Sequence, residues 1–413
     1  MKRRYFVSMA GLGILSACVS RYFPDDGEFF RECLNGELPP EFAKNEFIQA
    51  ALQGIDPAQI WDGHVHLIGL GDAGSGVWVN PQSQSLINPK QYLQFQFYLK
   101  ASCPTPNMPV DQGYLDHLKK LHWGKNMRFL LLAFDYSYNE QGERIEEHSA
   151  FHTPNEYAAK VCRENPQQFG WLASVHPYRK DCVEALSQAV KDGALGVKWL
   201  PPAMGINPSS PLCDKFYEAM AKFNLPLLCH GGDEHAVVGM EMQNYGNPLL
   251  LRRALDHGVR VVVAHCASSG SSVDLDKGEN AQPVLNIDLF GRLMDEPRYQ
   301  NTLFGDISAM PQINRVALLD KVLLRSDWHS RLLYASDYPL PAVLPMLSLK
   351  LLAEKHFIPE SSIPVLKTLR VYNPLLFDFV LKRHLKAQGK GFAPQVFQTR
   401  SFWTASKNSL NRS

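Results

Sequence analysis

The stretch Ile60-Trp61-Asp62-Gly63-His64-Val65-His66-Leu67 is a short apolar run that carries two histidines one residue apart. Side chains alternate faces along a strand, so His64 and His66 project to one side and two imidazoles converge on a point. A divalent metal takes that geometry. Outward from this stretch the chain repeats one pattern, a short apolar run that stops at a polar residue. The runs span residues 128–134, 170–175, 194–200, 225–230, 259–265, 301–307 and 332–336. With the first they make eight strand candidates separated by stretches of helical period. Thr153-Pro154-Asn155-Glu156 reads as a helix start with Thr153 as the cap. Asp181 with Glu184 repeats the device, and Gly193 stands where a C-terminal glycine is expected. Eight strands alternating with helices predict an α/β chain folded as a (β/α)8 TIM barrel. Residues 68–127 are too many for one connection and predict an excursion inserted after strand 1, with a helix over 91–100.

Polar residues end the later runs: Lys198 in Gly-Val-Lys-Trp, His230 in Leu-Leu-Cys-His-Gly-Gly, His265 in Val-Val-Ala-His-Cys and Asp337 in Leu-Tyr-Ala-Ser-Asp-Tyr-Pro. In a (β/α)8 barrel the C-terminal strand ends share one face, where active sites are built. Asp62 would orient a histidine from behind or simply start its strand. Asp306, in Phe-Gly-Asp-Ile-Ser, would shape the pocket or cap the next helix.

This ordered set resembles the amidohydrolase superfamily, in the branch with a His-x-His first strand and a Gly-Ser-Asp-x-Pro-like eighth strand. The resemblance spans about residues 60–379 and includes Asn373-Pro374 in a closing segment. It implies metal ligation by His64, His66, His230 and Asp337, with His265 a ligand or an acid/base beside the metal. It also implies one or two divalent ions, Zn2+ foremost. Lys198 is either carbamylated to bridge two metals, and so itself a ligand, or a free cation facing a substrate carboxylate. A metal held this way lowers the pKa of bound water to about 7. Asp337 would then move the water proton to the leaving group while His265 steadies the developing oxyanion. The expected activity is metal-dependent hydrolysis of a small-molecule carboxylic ester, lactone or amide. Non-oxidative decarboxylation on the same scaffold, and a catalytically silent binding lipoprotein, are the alternatives.

Other motifs carry less. Gly69-Leu-Gly71-Asp-Ala-Gly74 satisfies a dinucleotide pattern but opens no helix. Cys229 and Cys266 alternate away from their neighbouring histidines and predict buried thiols. Ser268-Ser269-Gly270-Ser271-Ser272 lacks a nucleophile elbow and predicts a flexible loop. His176 is expected to be structural, and His117, His122, His257 and His384 to lie at the surface. Trp199, Tyr136 and Tyr338 are expected to wall the pocket, with Lys198 or Arg179 receiving an anionic group.

The 413 residues carry 42 basic and 41 acidic side chains, a net charge of +1, which excludes a nucleic-acid binder that works through a basic patch. Lys2-Arg3-Arg4 precedes an apolar run too short to span a bilayer, and Leu15-Ser16-Ala17-Cys18 resembles a lipobox. Arg3-Arg4-Tyr5-Phe6-Val7 looks like a twin-arginine export motif. The expectation is a signal peptide over 1–17 and a linker over 18–57. The barrel follows over 58–385, and 386–413 form a solvated or loosely packed tail. The protein would sit in the bacterial cell envelope, on the periplasmic face, tethered to the membrane through lipidated Cys18. Seven further cysteines leave a disulfide open, with no pair to name.

Overall fold

The structure, a computed structural model, describes residues 32–410 apart from 35, 238 and 279; residues 1–17, expected to be an export signal, and Cys18 lie outside the described residues. Eight short parallel strands form the centre: β1 Trp61–His66, β2 Arg128–Leu132, β3 Phe169–Leu172, β4 Val197–Trp199, β5 Leu227–His230, β6 Val261–Ala264, β7 Leu303–Asp306 and β8 Leu332–Leu333. They hydrogen-bond as β1-β2-β3 and as β8-β7-β6-β5-β4. Parallel bridges Ala173↔Val197 and Val65↔Tyr338 join the two sheets into a ring. At the second seam His66 N–H donates to Tyr338 O (3.0 Å) and Asp337 N–H to His64 O (2.9 Å). The expected (β/α)8 barrel is therefore present.

Helices cover the strands because their apolar positions recur every three or four residues. In the helix Cys182–Lys191 the buried positions are Cys182, Leu186 and Ala189. Asp181 precedes it but makes no capping bond, since its carboxylate is held by Arg179. Thr153 is no cap either: its backbone pairs with Phe134 and its hydroxyl donates to Leu67 O (3.2 Å). Gly193 does end its helix, at φ 91°.

The long interval after β1 divides in two. Residues 68–109 form the excursion over the mouth, with helix α1 Pro89–Ala101 and a strand pair between Trp78–Val79 and Phe151–His152. Helix α2 Val110–Lys120 then belongs to the barrel wall, burying Tyr114, His117 and Leu118. His117 is thus not a surface residue.

Inside the ring, Trp61, Leu130, Leu132, Leu172, Leu228, Val262 and Leu333 pack into a floor that Trp403 closes from below. The expected loose tail is in fact this plug. Thr399 Oγ1 accepts from Trp61 N–H (2.9 Å), and a Cβ on Gly63 would come within 2.6 Å of the Trp403 ring. Cys33 and Cys103 form a disulfide that ties the N-terminal arm to the end of α1. Among the described residues Cys162, Cys182, Cys213, Cys229 and Cys266 are buried and form no disulfide.

Candidate metal centre

One extra residue in β1, between Asp62 and Val65 in the pairing with β2, shifts its register. This bulge lets Trp61 join the floor while His64 and His66 also face inward above it. Asp62 makes no contact with an imidazole. Its Oδ1 accepts the backbone N–H groups of Ser336 (2.8 Å) and His64 (3.2 Å), stitching β1 to the segment after β8.

His64 Nε2 and His66 Nε2 lie 3.3 and 3.1 Å from one atom, Asp337 Oδ1. Asp337 Oδ2 faces His265 Nε2 at 3.6 Å. The other nitrogens of His64 and His265 are already engaged. His64 Nδ1 donates to Asp306 Oδ2 (3.1 Å), and His265 Nδ1 donates to Ser308 O (3.2 Å) with Ser308 Oγ also at 2.8 Å. Asp306 Oδ1 accepts the backbone N–H of His265 (2.7 Å). Asp306 is therefore the residue that aims two histidines, neither a helix cap nor a pocket wall.

His64, His66 and Asp337 form a group whose candidate ligand atoms lie within 4.8 Å of one another. His230 is not in that group. Its ring lies edge-on to His265 with centroids 5.3 Å apart, and its buried Nε2 has no partner. Glu234 Oε2 stands 3.4 Å from His230 Nδ1, and Glu234 Oε1 accepts from Val237 N–H (3.0 Å) and from Ala236 N–H. The His230-x-x-x-Glu234 spacing was visible in the sequence; its meaning was not. Lys198 is buried, with Nζ 3.1 Å from His64 Nε2.

Burial governs the protonation of the cluster. Desolvation holds the imidazole of His64 below its ordinary pKa, that of His230 well below, and that of His265 at about 3. All three are neutral near pH 7, the form that ligates metal. Desolvation would raise Asp337, but the hydrogen bond with His66 (3.1 Å) works against it, and its carboxyl stays well below the usual range. Asp306 is held low against its own burial by the hydrogen bond from His64. Burial lowers Lys198.

The residues fit a divalent ion. Imidazole nitrogens and a carboxylate oxygen converge, the outward nitrogens of His64 and His265 are fixed by carboxylate or carbonyl partners, and one buried nitrogen lacks any partner. Backbone strain accompanies them: His265, Cys266 and Ala267 in succession, and Asp337, all have φ near +50 to +60°.

Several expectations do not hold. Trp199 is fully buried against Phe216 and Tyr217, with Nε1 donating to Val175 O (2.9 Å). Tyr338 packs on Tyr114 in the core, so neither walls a pocket. Tyr136 does lie at the mouth, stacked on His152. Arg179 is committed to Asp135 and Asp181. Of the serine run, residues 271–273 form a strand with 283–285, and Ser268 is buried. The glycine loop at 69–74 is held by the Asp111 carboxylate, which accepts from Gly71 N–H (3.0 Å) where a phosphate would otherwise bind. As expected, His176 is structural, its Nε2 donating to Met204 O (3.1 Å). Cys229 is a buried thiol whose pKa is pushed up to about 12 by desolvation.

Residues 132–287 match a family model described as amidohydrolase. No curated protein matches the chain. Among solved structures the chain is similar to an uncharacterised TIM-barrel protein from Bordetella bronchiseptica, at 15% identity over 71% of this chain and 89% of that one, TM-score 0.41. It is also similar to a candidate 2-pyrone-4,6-dicarboxylic acid hydrolase from Pseudomonas putida, at 13% identity, 78% and 97% coverage and TM-score 0.41. A third is 5-carboxyvanillate decarboxylase from Novosphingobium aromaticivorans, solved with bound manganese, at 12% identity, 84% and 96% coverage and TM-score 0.46.

Proposed function

We propose that this chain, of which residues 132–287 match the amidohydrolase family model, is an enzyme of that superfamily and hydrolyses a small-molecule carboxylic ester, lactone or amide with one bound divalent ion. The observation that carries the proposal is the double use of Asp337: one oxygen meets His64 and His66, the other faces His265. His64 Nε2, His66 Nε2, Asp337 Oδ1 and the unpartnered His230 Nε2 would hold the ion. Three imidazoles and a carboxylate suit Zn2+. When bound, the ion supplies Lewis-acid polarisation of a carbonyl and acidification of water.

Proton handling falls to the chain's own residues. His265 Nδ1 donates to Ser308 O, so its Nε2 is a bare acceptor, and it faces the bare Asp337 Oδ2. Two acceptors 3.6 Å apart have a place for one proton. As the water oxygen bonds to the acyl carbon, its proton passes to this pair. As the acyl C–O or C–N bond breaks, the pair returns it to the leaving oxygen or nitrogen. His265 thus begins as an acceptor, not as the donor that would steady an oxyanion. Lys198, whose Nζ lies 3.1 Å from the His64 nitrogen that would bind the ion, would not itself hold the ion unless carbamylated.

Elemental analysis of purified protein is expected to give one ion per chain. Turnover of a lactone, ester and amide panel is expected to vanish with chelator and return with Zn2+. Two ions per chain with a carbamate mass on Lys198 would overturn the single-ion assignment. Release of carbon dioxide from an aromatic acid without water uptake would replace hydrolysis by decarboxylation, and metal-free protein without turnover would leave a binding protein.

The location is also a proposal: export through the signal at 1–17 and tethering by acyl groups at Cys18. The Cys33–Cys103 disulfide supports it, because such bonds persist in oxidising compartments. No described helix is long and apolar enough to cross a membrane. Lysines in place of Arg3 and Arg4 should block export, and undiminished export of that variant would refute the twin-arginine route.

A further inference from the structure

A buried cation must be given partners, and most of those described here are. Lys382 pairs with Asp378 and donates to Ala335 O (2.7 Å). Arg370 spends its guanidinium on the carbonyls of Pro341 (2.7 Å) and Val343 (2.9 Å).

Arg315, in the segment after β7, is treated differently. It is 6% exposed. Its Nη1 donates to Ser268 Oγ (3.2 Å), its buried Nε has no acceptor, and no described group accepts from Nη2. Asp337, Glu234, Asp306 and the half-buried Asp233 act on it only through space, none within ion-pair distance. Ser268, which accepts that Nη1 N–H, itself donates its backbone N–H to His265 O (3.0 Å), so the guanidinium is tied to the turn that carries His265. Ser268 follows directly on the left-handed run His265–Ala267, and the same turn therefore positions His265 and anchors Arg315.

With Nη1 tied to Ser268, the edge left open is Nε with Nη2. Two parallel N–H donors on that edge match the two oxygens of one carboxylate. We propose that Arg315 receives a carboxylate carried by the substrate, so that the enzyme acts on esters, lactones or amides bearing a free carboxylate beside the bond that is cut. This rests on the hydrolase proposal for what is cut, but not for what is bound. The role was first expected of Lys198 or Arg179; Arg179 already holds two aspartates, and Lys198 lies against His64.

The test is calorimetric titration of the full chain, metal-loaded and again after chelation, with acetate and benzoate, each against its neutral amide. The wild type is expected to bind at least one carboxylate at least tenfold more tightly than the matching amide in both metal states. Arg315→Met should lose that preference at unchanged metal content, and Arg315→Lys should recover part of it. If Arg315→Met fails to fold, the preference in the wild type and its weakening in Arg315→Lys decide. A wild type that binds neither carboxylate, or does not discriminate carboxylate from amide, overturns the proposal, as does an Arg315→Met chain that binds the carboxylate as well as the wild type. Arg315-dependent binding in a chain that holds no metal and hydrolyses nothing would sink the hydrolase proposal and leave this one standing.

Discussion

Asp306 touches nothing that reacts, yet three groups depend on it: the His64 ring, the His265 backbone and Ser308. An asparagine in its place has one acceptor oxygen where the carboxylate offers two, so a hydrogen bond to a histidine is lost or reversed. Asp306→Asn should bind metal about 10- to 100-fold more weakly, read by competition with a chromophoric chelator at unchanged circular dichroism; equal affinity would remove Asp306 from the centre. Asp337→Asn removes the negative charge shared by His64, His66 and His265. It should cost about 10²- to 10⁴-fold or more in turnover even when metal is saturating, and a variant with near wild-type rates would end the proton-transfer assignment. At this scale the sequence was legible where chemistry coincides with period. Alternation set His64 beside His66, and strand ends disclosed Lys198, His230, His265 and Asp337. Glu234 and Arg315 sit in loops, where no period says which way a side chain turns, and only the folded chain brings Glu234 to His230 and Arg315 to Ser268.

Elements were legible in number and order, less so in their ends. All eight strand candidates exist, but β8 keeps only Leu332–Leu333 of the five residues expected, because the chain turns away toward Asp337. The tail was misread for a physical reason. Its charge pattern suggested solvation, and what holds it in place is an absence: Gly63 has no side chain where the Trp403 ring lies. Trp403 is 1% exposed and caps the barrel floor below Trp61. Truncation to alanine leaves a ring-sized void under a floor that the strands hold open, at a cost of about 3–5 kcal/mol. Urea unfolding of Trp403→Ala should show that loss, with metal content in the folded protein preserved. A variant as stable as the wild type would mean the helix Arg400–Leu410 is dispensable to the barrel.

The whole molecule buries titratable groups whose pH responses oppose one another. His176 is fully buried and desolvation lowers its pKa to about 3. Between that value and its ordinary 6.5 the unfolded chain takes a proton that the folded chain refuses, so this group's stability is present above pH 6.5 and is lost as pH falls toward 3. Asp62 works the other way. Desolvation raises its carboxyl from 3.8 to about 7, so the folded chain keeps a proton that the unfolded chain releases, and stability falls as pH rises through that window. The two windows overlap, which flattens the total and hides each contribution in a single melting profile. A difference between two chains separates them, since Asp62 and the metal centre are common to both. Gln at position 176 can still donate to Met204 O and accept from Tyr178 N–H, but it does not titrate. Between pH 6 and pH 4 the unfolding free energy of the wild type should therefore fall relative to His176→Gln by roughly 1.4 kcal/mol per pH unit. The His176→Gln chain is expected to start less stable at pH 7 and to approach or cross the wild type on acidification. Parallel profiles would show that His176 is protonated in the folded chain, and that burial does not govern its charge.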